Sequence, residues 1–537
     1  MNYVSRTTLA VAMATVAFAL FPSTGSAQSV STFLGGSGAT STNQQSWTQA
    51  GNWNTGVVPT GTSVWAQINS STSPLLRVLY TATSVGSGTS LTVGAISFLP
   101  TLAVSSGSTY EVQNNSSGTR GTLKFYGITT AIDGTSRNVI LENRTTLSEV
   151  NFTQTLAGQD FELYTSGAIN VAANTQLTLS PLIRDGSGSQ SITKIGQGIL
   201  SFPSSNSVTS TYSGGFVLDG GIVQWASSGT AGVSTSFGLG SLTLRSGTLR
   251  STGTSGRSIN NSVILDGSVT LGSTTSGFTG NVAVNSSGGS LSTTVLSNSV
   301  ITIPASGTTS WHQATSGTGG VTKAGSGILI FTGSGGNLAH SGNTVAQGGT
   351  LIMNANLASA SAVSVLSGAS LFGSGTIAGA ATIQSGGILS PGSAASTPGV
   401  LTFGSSLGLS GQTLIDITGT TRGSLYDGLD ITGGLTYGGS LQLQFSGTLP
   451  EGTYDLFRGF GSQVGTFSSI GLTGGYTGSL SESAGVWTGT FGTQTLTFTT
   501  STGDLVIVPE PTSALLVSVA AAFGILGTCR RRREQVS

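Results

Sequence analysis

The sequence predicts an all-β fold, a parallel β-helix (solenoid) closed by capping β-segments. From about Gly88 onward, apolar and polar residues alternate in short runs between turns rich in glycine and serine, for example Leu91–Ile96, Thr122–Tyr126 and Val139–Glu142. This alternation is typical of β-strands. Between the two ends of the chain, no window of ten or more residues shows the 3.6-residue period of a helix. Charged residues make up 7% of the chain and glycine numbers 83, which favours many short strands separated by small-residue turns.

We expect five segments, with a helix at each end of the chain. They are a signal peptide (1–27), an N-terminal β-rich cap with early coils (28–185), a β-helix (186–410), a C-terminal β-rich cap (411–508) and a sorting and anchor segment (509–537). The first segment has Arg6 at its positive end, an apolar core over Leu9–Phe21 and small residues at Gly25–Ala27. This is the pattern of a secretory signal peptide, here cut after Ala27. The alternative is a retained N-terminal anchor.

Tryptophans are the main large side chains at the start of the exported part. Trp47, Trp53 and Trp65 lie in a segment rich in serine, threonine and asparagine. We expect them to pack the first coil of the β-structure. The alternative is that they are exposed and stack on the apolar faces of sugar rings.

Two longer units of the middle segment align with each other. Ile192–Phe202 matches Val321–Phe331 at an offset of 129 residues, and each unit places Lys-x-Gly-x-Gly before an apolar strand. This pattern resembles the autotransporter-associated β-strand repeat. Physically, glycine supplies corners with positive φ, and alternate aliphatic residues point inward and stack on those of the next coil. With about twenty residues per coil, 186–410 would hold on the order of ten coils.

The open ends of a solenoid are templates for further strand pairing and need to be covered. After residue 410 the short units give way to longer strands, such as Ser440–Phe445 and Gln494–Phe498. The sequence therefore predicts that 411–508 forms the C-terminal cap.

The last thirty residues predict the destination of the protein. Pro509, Glu510 and Pro511 precede an apolar run over Thr512–Thr528, and the arginine cluster Arg530–Arg533 comes after it. The run is slightly short of the ~20 residues that usually cross a bilayer, and the arginines can snorkel to the headgroups to make up the difference. The positive-inside rule keeps the arginines cytoplasmic and places the rest outside.

This tail resembles the PEP-CTERM sorting signal. The resemblance implies that Pro509, Glu510 and Pro511 form the recognition motif, Thr512–Thr528 a transient anchor, and Arg530, Arg531, Arg532 and Arg533 the stop-transfer cluster. It also implies an exosortase-type processing enzyme as a partner and the inner membrane as the first location of the protein. The alternative is an ordinary single-pass anchor.

Charge and cysteine content limit the classes of partner and of stabilising bond. Subtracting Arg6 and Arg530–Arg533 from the 18 basic residues, and Glu510 and Glu534 from the 18 acidic ones, leaves 28–508 with a formal charge near −3. No basic stripe exists, so nucleic acid is excluded as a partner. The only cysteine is Cys529, so the exported part cannot be stabilised by disulfides.

The sequence contains little that indicates catalysis, and we expect no cofactor and no metal. The two histidines, His312 and His340, are expected at the surface near turns, and no zinc-ligand spacing is present. The best catalytic candidates are Asp427 and Asp430, with Asp416 near them. Because residues three apart on a strand point to opposite faces, we favour a turn-capping role for Asp427. Calcium binding and acid–base catalysis are the alternatives.

These observations predict an exported, non-enzymatic β-solenoid at the cell surface or in an extracellular polysaccharide matrix. A long, weakly charged surface rich in serine, threonine and asparagine would make many weak polar contacts with polysaccharide. The alternative is a carbohydrate-active β-helix enzyme, a polysaccharide lyase or glycoside hydrolase, which would show acids and a cationic residue clustered on one face. A true autotransporter would need a C-terminal barrel of about a dozen strands, for which the segment after Ser410 is too short.

Overall fold

The computed structural model describes residues 160–510, except for 180–181, 204–209, 227–235, 254, 274–280, 287–288, 359–360 and 393–396, and describes chiefly the strands between residues 29 and 157. The predicted signal peptide and the chain from Pro511 onward lie outside the described residues. Within this part the chain is all-β and forms a parallel β-solenoid of about 11 turns. The predicted fold class is confirmed there, and the two predicted terminal helices stay predictions.

The described residues form 49 strands. The first fifteen are β1 (Ser29–Phe33), β2 (Gln44–Ser46), β3 (Val64–Ile68), β4 (Leu75–Leu79), β5 (Ser90–Val93), β6 (Ala95–Phe98), β7 (Thr109–Gln113), β8 (Thr122–Phe125), β9 (Ile128–Thr130), β10 (Arg137–Asn143), β11 (Phe152–Ala157), β12 (Asp160–Leu163), β13 (Gly167–Val171), β14 (Thr175–Leu179) and β15 (Ile183–Asp185). The next twenty are β16 (Ile192–Ile195), β17 (Ile199–Phe202), β18 (Phe216–Trp225), β19 (Leu242–Ser251), β20 (Arg257–Ile259), β21 (Val263–Leu271), β22 (Val282–Val284), β23 (Ser292–Val295), β24 (Ser299–Thr302), β25 (Thr308–Ser316), β26 (Val321–Ala324), β27 (Ile328–Leu338), β28 (Thr344–Ala346), β29 (Gly349–Met353), β30 (Asn356–Leu357), β31 (Val363–Val365), β32 (Ala369–Gly373), β33 (Thr376–Ile377), β34 (Ala381–Ile383) and β35 (Ile388–Pro391). The last are β36 (Val400–Phe403), β37 (Leu407–Leu409), β38 (Gln412–Ile417), β39 (Gly428–Ile431), β40 (Gly434–Tyr437), β41 (Ser440–Phe445), β42 (Gly452–Asp455), β43 (Phe457–Arg458), β44 (Ser462–Gly465), β45 (Ser469–Gly474), β46 (Gly478–Ser483), β47 (Val486–Phe491), β48 (Gln494–Thr499) and β49 (Asp504–Pro509).

Each coil contributes strands to parallel ladders that run along the solenoid axis. One ladder passes from β27 through β29, β32, β35, β38 and β41 to β45. Its inward residues Leu329, Leu351, Leu371 and Leu389 lie in register, one above the other, and all are fully buried. The predicted stacking of alternate aliphatic residues is confirmed in this ladder, with steps close to the expected twenty residues.

The two matching repeats adopt the same local structure. In each, a strand (β16 or β26) ends at a glycine of positive φ, which is +77° at Gly196 and +74° at Gly325. A Cβ at either position would collide with a main-chain carbonyl of the preceding coil, that of Val171 or of Ile303. The predicted glycine corners are therefore confirmed here: the chain needs both the left-handed conformation and the close approach of two coils.

Antiparallel strands close the C-terminal end. Parallel pairing continues past residue 411 as far as β45, and β46, β47, β48, β49 and β42 then form an antiparallel sheet across the end of the solenoid. Beneath this sheet, Tyr437, Phe457, Phe467 and Phe498 pack with ring centroids 5.0–6.4 Å apart. The main-chain carbonyl of Gly503 accepts hydrogen bonds from the N–H groups of Leu456 and Phe457. The cap thereby satisfies donors that the last coil would otherwise expose to water.

Replacing Gly439 with alanine tests how tightly the coils are packed. Gly439 has a φ of +56°, and a Cβ there would collide with the carbonyl oxygen of Gly411 in the coil below. We expect the variant to lose on the order of 2 kcal/mol of unfolding free energy in urea titrations. The matched control is Gly461→Ala, because nothing lies within 4 Å of the Cβ it would add, and it should stay within about 0.5 kcal/mol of wild type. Equal stabilities of the two variants would contradict this packing.

Candidate functional site

The structure describes the first two residues of the predicted sorting motif. Pro509 is the last residue of β49, where it lies opposite Gln494 of β48. The Glu510 N–H donates to the main-chain carbonyl of Thr493 at 2.8 Å, and both Pro509 and Glu510 are exposed. Pro511, the arginines Arg530–Arg533 and the predicted cleavage position Ala27 lie outside the described residues. Within the residues that the structure does describe, no helix is long and apolar enough to span a membrane.

Asp427 is fully buried and holds two separate stretches of main chain. Its carboxylate oxygens accept hydrogen bonds from the N–H groups of Gly399 and Asp416, each at 2.8 Å. Burial raises the pKa of Asp427 to about 7, the two N–H donors act against this rise, and the charge of Asp416 adds to it. The carboxylate accepts main-chain N–H groups, as in the capping role that we favoured from the sequence, but its donors lie 28 and 11 residues away, so Asp427 joins distant segments rather than capping its own turn.

Asp430 lies at the surface and its carboxylate is bound by two arginines. Arg422 approaches it at 2.8 Å, and Arg458 binds both of its oxygens at 2.9 and 3.2 Å. Arg422 also donates to the main-chain carbonyl of Asp455. These contacts connect the loop before β39 with β39 and β43. Asp427 therefore faces the interior while Asp430 takes part in an ion-pair cluster outside, as expected for two residues three apart.

The histidines differ from each other in environment. His340 is fully buried, and its ring nitrogens lie 2.8 Å from the Thr315 hydroxyl and 2.9 Å from that of Thr344. Burial lowers the pKa of His340 to about 4, so the ring is neutral at physiological pH. The predicted surface position is wrong for His340, because the hydroxyl of Thr315 in the neighbouring coil and that of Thr344, four residues along the chain, satisfy the ring in the interior. His312 is half-buried and contacts Thr332 and Ser334.

Two lysines with an unexpected role occupy equivalent positions in the two repeats. Lys194 is fully buried, and its ammonium donates to the main-chain carbonyls of Ile195, Gly196 and Gly220 at 2.9, 2.8 and 3.1 Å. Lys323, 1% exposed, donates to the carbonyls of Gly325 and Gly348, both at 2.7 Å. Each lysine thus ties a glycine corner to the next coil. The signal in the sequence was the lysine shared by both repeats, but a lysine ordinarily suggests an exposed position.

Hydroxyl-bearing and small residues of four successive coils line an open groove of about 380 Å³. Ser385, Ser410, Gln412, Ser440 and Ser468 are among its lining residues, and none of the lining residues is charged. The groove passes the starts of β35, β38 and β41 and the residue before β45, so it runs along the solenoid axis. It offers hydroxyl and amide groups to an extended, uncharged ligand.

Trp53 is 2% exposed, which agrees with packing rather than with sugar stacking. The side chains of Trp47 and Trp65 lie outside the described part of the structure. Within the described residues, no group of three or more His, Cys, Asp or Glu side chains is placed to hold a metal ion.

The chain belongs by its fold to the parallel β-solenoids, a class that contains both enzymes and non-enzymes. Comparison with protein-family models, with curated proteins and with solved structures finds no match to this chain.

Proposed function

We propose that this protein is an exported, non-enzymatic β-solenoid that is sorted through its C-terminal tail and serves as a structural or adhesive element of an extracellular polysaccharide matrix. The observation that carries the proposal is the position of Pro509 and Glu510. Pro509 is the last residue of β49 and both residues are exposed, so the first two residues of the tripeptide that resembles a sorting motif lie at the surface of the folded cap. The proposal implies an inner-membrane anchor before processing, and the cell surface or the extracellular space afterwards.

The proposed mechanism is passive. The solenoid supplies a rigid axis. The uncharged groove is lined by Gln412 and Ser440 among others, and these two residues lie in register at the strand spacing of about 4.8 Å. A polysaccharide chain lying along this axis would make many hydrogen bonds, each of small net free energy. Affinity would then grow with the length of the polysaccharide in contact.

Mass spectrometry of the secreted and membrane fractions tests the sorting step. We expect a mature protein whose C-terminus lies near Glu510, because the processing enzyme implied by the tail would remove the apolar run and the arginine cluster. A variant with Glu510 and both flanking prolines replaced by alanine should keep its full tail. An intact tail in every fraction of the wild type would instead identify a simple membrane anchor.

The alternative, a carbohydrate-active enzyme, has one observation in its favour: Asp430, Asp455, Arg422 and Arg458 lie close together. The two arginines already bind the Asp430 carboxylate, an arrangement that serves structure rather than proton transfer. We therefore expect no breakdown of polysaccharide by the wild type in a reducing-end or unsaturated-product assay. Activity that disappears in both Asp427→Asn and Asp430→Asn would favour the enzyme.

A further inference from the structure

The last strand of the chain is held firmly inside the cap. On one side β49 pairs with β42 over Asp504–Ile507, and on the other it pairs with β48 as far as Pro509. Among the described strands, Val508 and Pro509 therefore have a pairing partner only in β48. Because Pro509 has no N–H, the strand cannot donate there, and the next donor along the chain is Glu510, which bonds to the carbonyl of Thr493.

The partner strand is itself fixed at the point opposite Pro509. The Leu449 N–H donates to the Tyr476 hydroxyl at 3.0 Å, and this hydroxyl donates to Oε1 of Gln494 at 2.6 Å. Nε2 of Gln494 donates back to the carbonyl of Leu449 at 3.0 Å. This closed ring of three residues, the Gln494 anchor, holds the start of β48 against the solenoid, so the end of β49 rests on a rigid neighbour.

We propose that the folded cap restrains processing of the tail, because the first part of the recognition motif is built into the cap sheet. The inference rests on the proposed function. Enzymes that cut or transfer peptides bind their substrates as extended segments, often by adding them to a strand. The residues that precede the predicted motif are already paired with β48 as an extended strand. They must therefore separate from β48 before an enzyme can bind them. Processing is then fast while the cap is unfolded and slow once it has formed.

Moving the motif away from the cap tests this proposal in the full-length protein. The first variant carries eight glycine and serine residues between Val508 and Pro509. A matched control carries the same eight residues in the β46–β47 turn, between Ser483 and Ala484, where the motif stays attached to β48. Pulse labelling in the producing cell followed by mass measurement gives the half-time of tail removal. We expect the first variant to be processed about tenfold faster than wild type, the factor that corresponds to opening roughly one or two net hydrogen bonds, and the control to match wild type.

A second variant loosens the anchor without moving the motif. Tyr476→Phe keeps the ring, which lies 4.7 Å from that of Phe445, and removes the hydroxyl that joins Leu449 to Gln494. We expect tail removal to be accelerated severalfold. Equal half-times in wild type, linker variant and Tyr476→Phe would overturn the restraint and leave the proposed sorting intact. Absence of tail removal in wild type and every variant would overturn the proposed sorting itself.

Discussion

The wild type is expected to lose stability as the pH rises from about 4 to above 7, and replacing Asp427 with Asn is expected to abolish this loss. The folded-state pKa of Asp427 is raised to about 7, from an ordinary value of 3.8, so the folded protein holds this proton over a range in which the unfolded chain releases it. Such a group contributes stability that is fully present below the unfolded pKa and is lost as the pH rises through the folded pKa. At 1.36 kcal/mol per pH unit, the loss is on the order of 4 kcal/mol.

Urea denaturation at intervals from pH 4 to pH 8 measures this effect. Asp427→Asn should be less stable than wild type at pH 4, since an amide oxygen cannot accept both N–H groups as two carboxyl oxygens do, and the difference should shrink as the pH rises. Asp430→Asn is the control: it removes the ion pairs of Asp430 with Arg422 and Arg458 and should retain the wild-type decline because Asp427 is intact. Parallel pH profiles for wild type and Asp427→Asn would contradict the assignment.

The glycine corners and the stacked leucines could be predicted from the sequence because both obey local rules. A glycine before a strand in two matching repeats indicates positive φ wherever the coil lies, and the two-residue period assigns Leu351 and Leu371 to the interior without knowledge of their neighbours. The tripeptide that resembles a sorting motif was also read from adjacent residues, and its role stays a prediction.

The contacts of Asp427, His340 and Lys194 could not be predicted, because each depends on how distant coils align. The partners of Asp427 include Gly399, 28 residues away, and Lys194 reaches Gly220, 26 residues away. Hydrophobic patterning assigns charged residues to the surface, whereas a solenoid core offers main-chain carbonyls at every corner. A buried ammonium with three acceptors becomes possible only when successive corners lie one above the other.

The wild type is expected to gain stability as the pH rises from about 7 to about 10, and replacing Lys194 with methionine is expected to remove this gain. Burial lowers the pKa of Lys194 from 10.5 to about 7, so the folded protein releases a proton that the unfolded chain still holds. Stability linked to this group is present above the unfolded pKa and is lost as the pH falls through the folded pKa. The shift corresponds to a change on the order of 4–5 kcal/mol at 1.36 kcal/mol per unit.

Lys323→Met provides a matched comparison in the second repeat. The pKa of Lys323 is lowered by burial to about 8, so the gain linked to this lysine should begin about one unit higher and be smaller than that linked to Lys194. Urea denaturation from pH 6 to pH 10 distinguishes the two. Superimposable pH profiles for wild type and Lys194→Met would show that the buried amine does not titrate in this range.

Asp427 and Lys194 together predict a minimum in the stability of the wild type near neutral pH. Below pH 7 the protonated Asp427 favours the folded state, and above pH 7 the neutral Lys194 does so, because both folded-state pKa values are about 7. Since the two residues lie in different coils with no shared partner, their effects should add. The double variant Asp427→Asn, Lys194→Met should therefore have a flatter pH profile than either single variant, and a minimum near pH 7 that persists in it would have to come from other titrating groups.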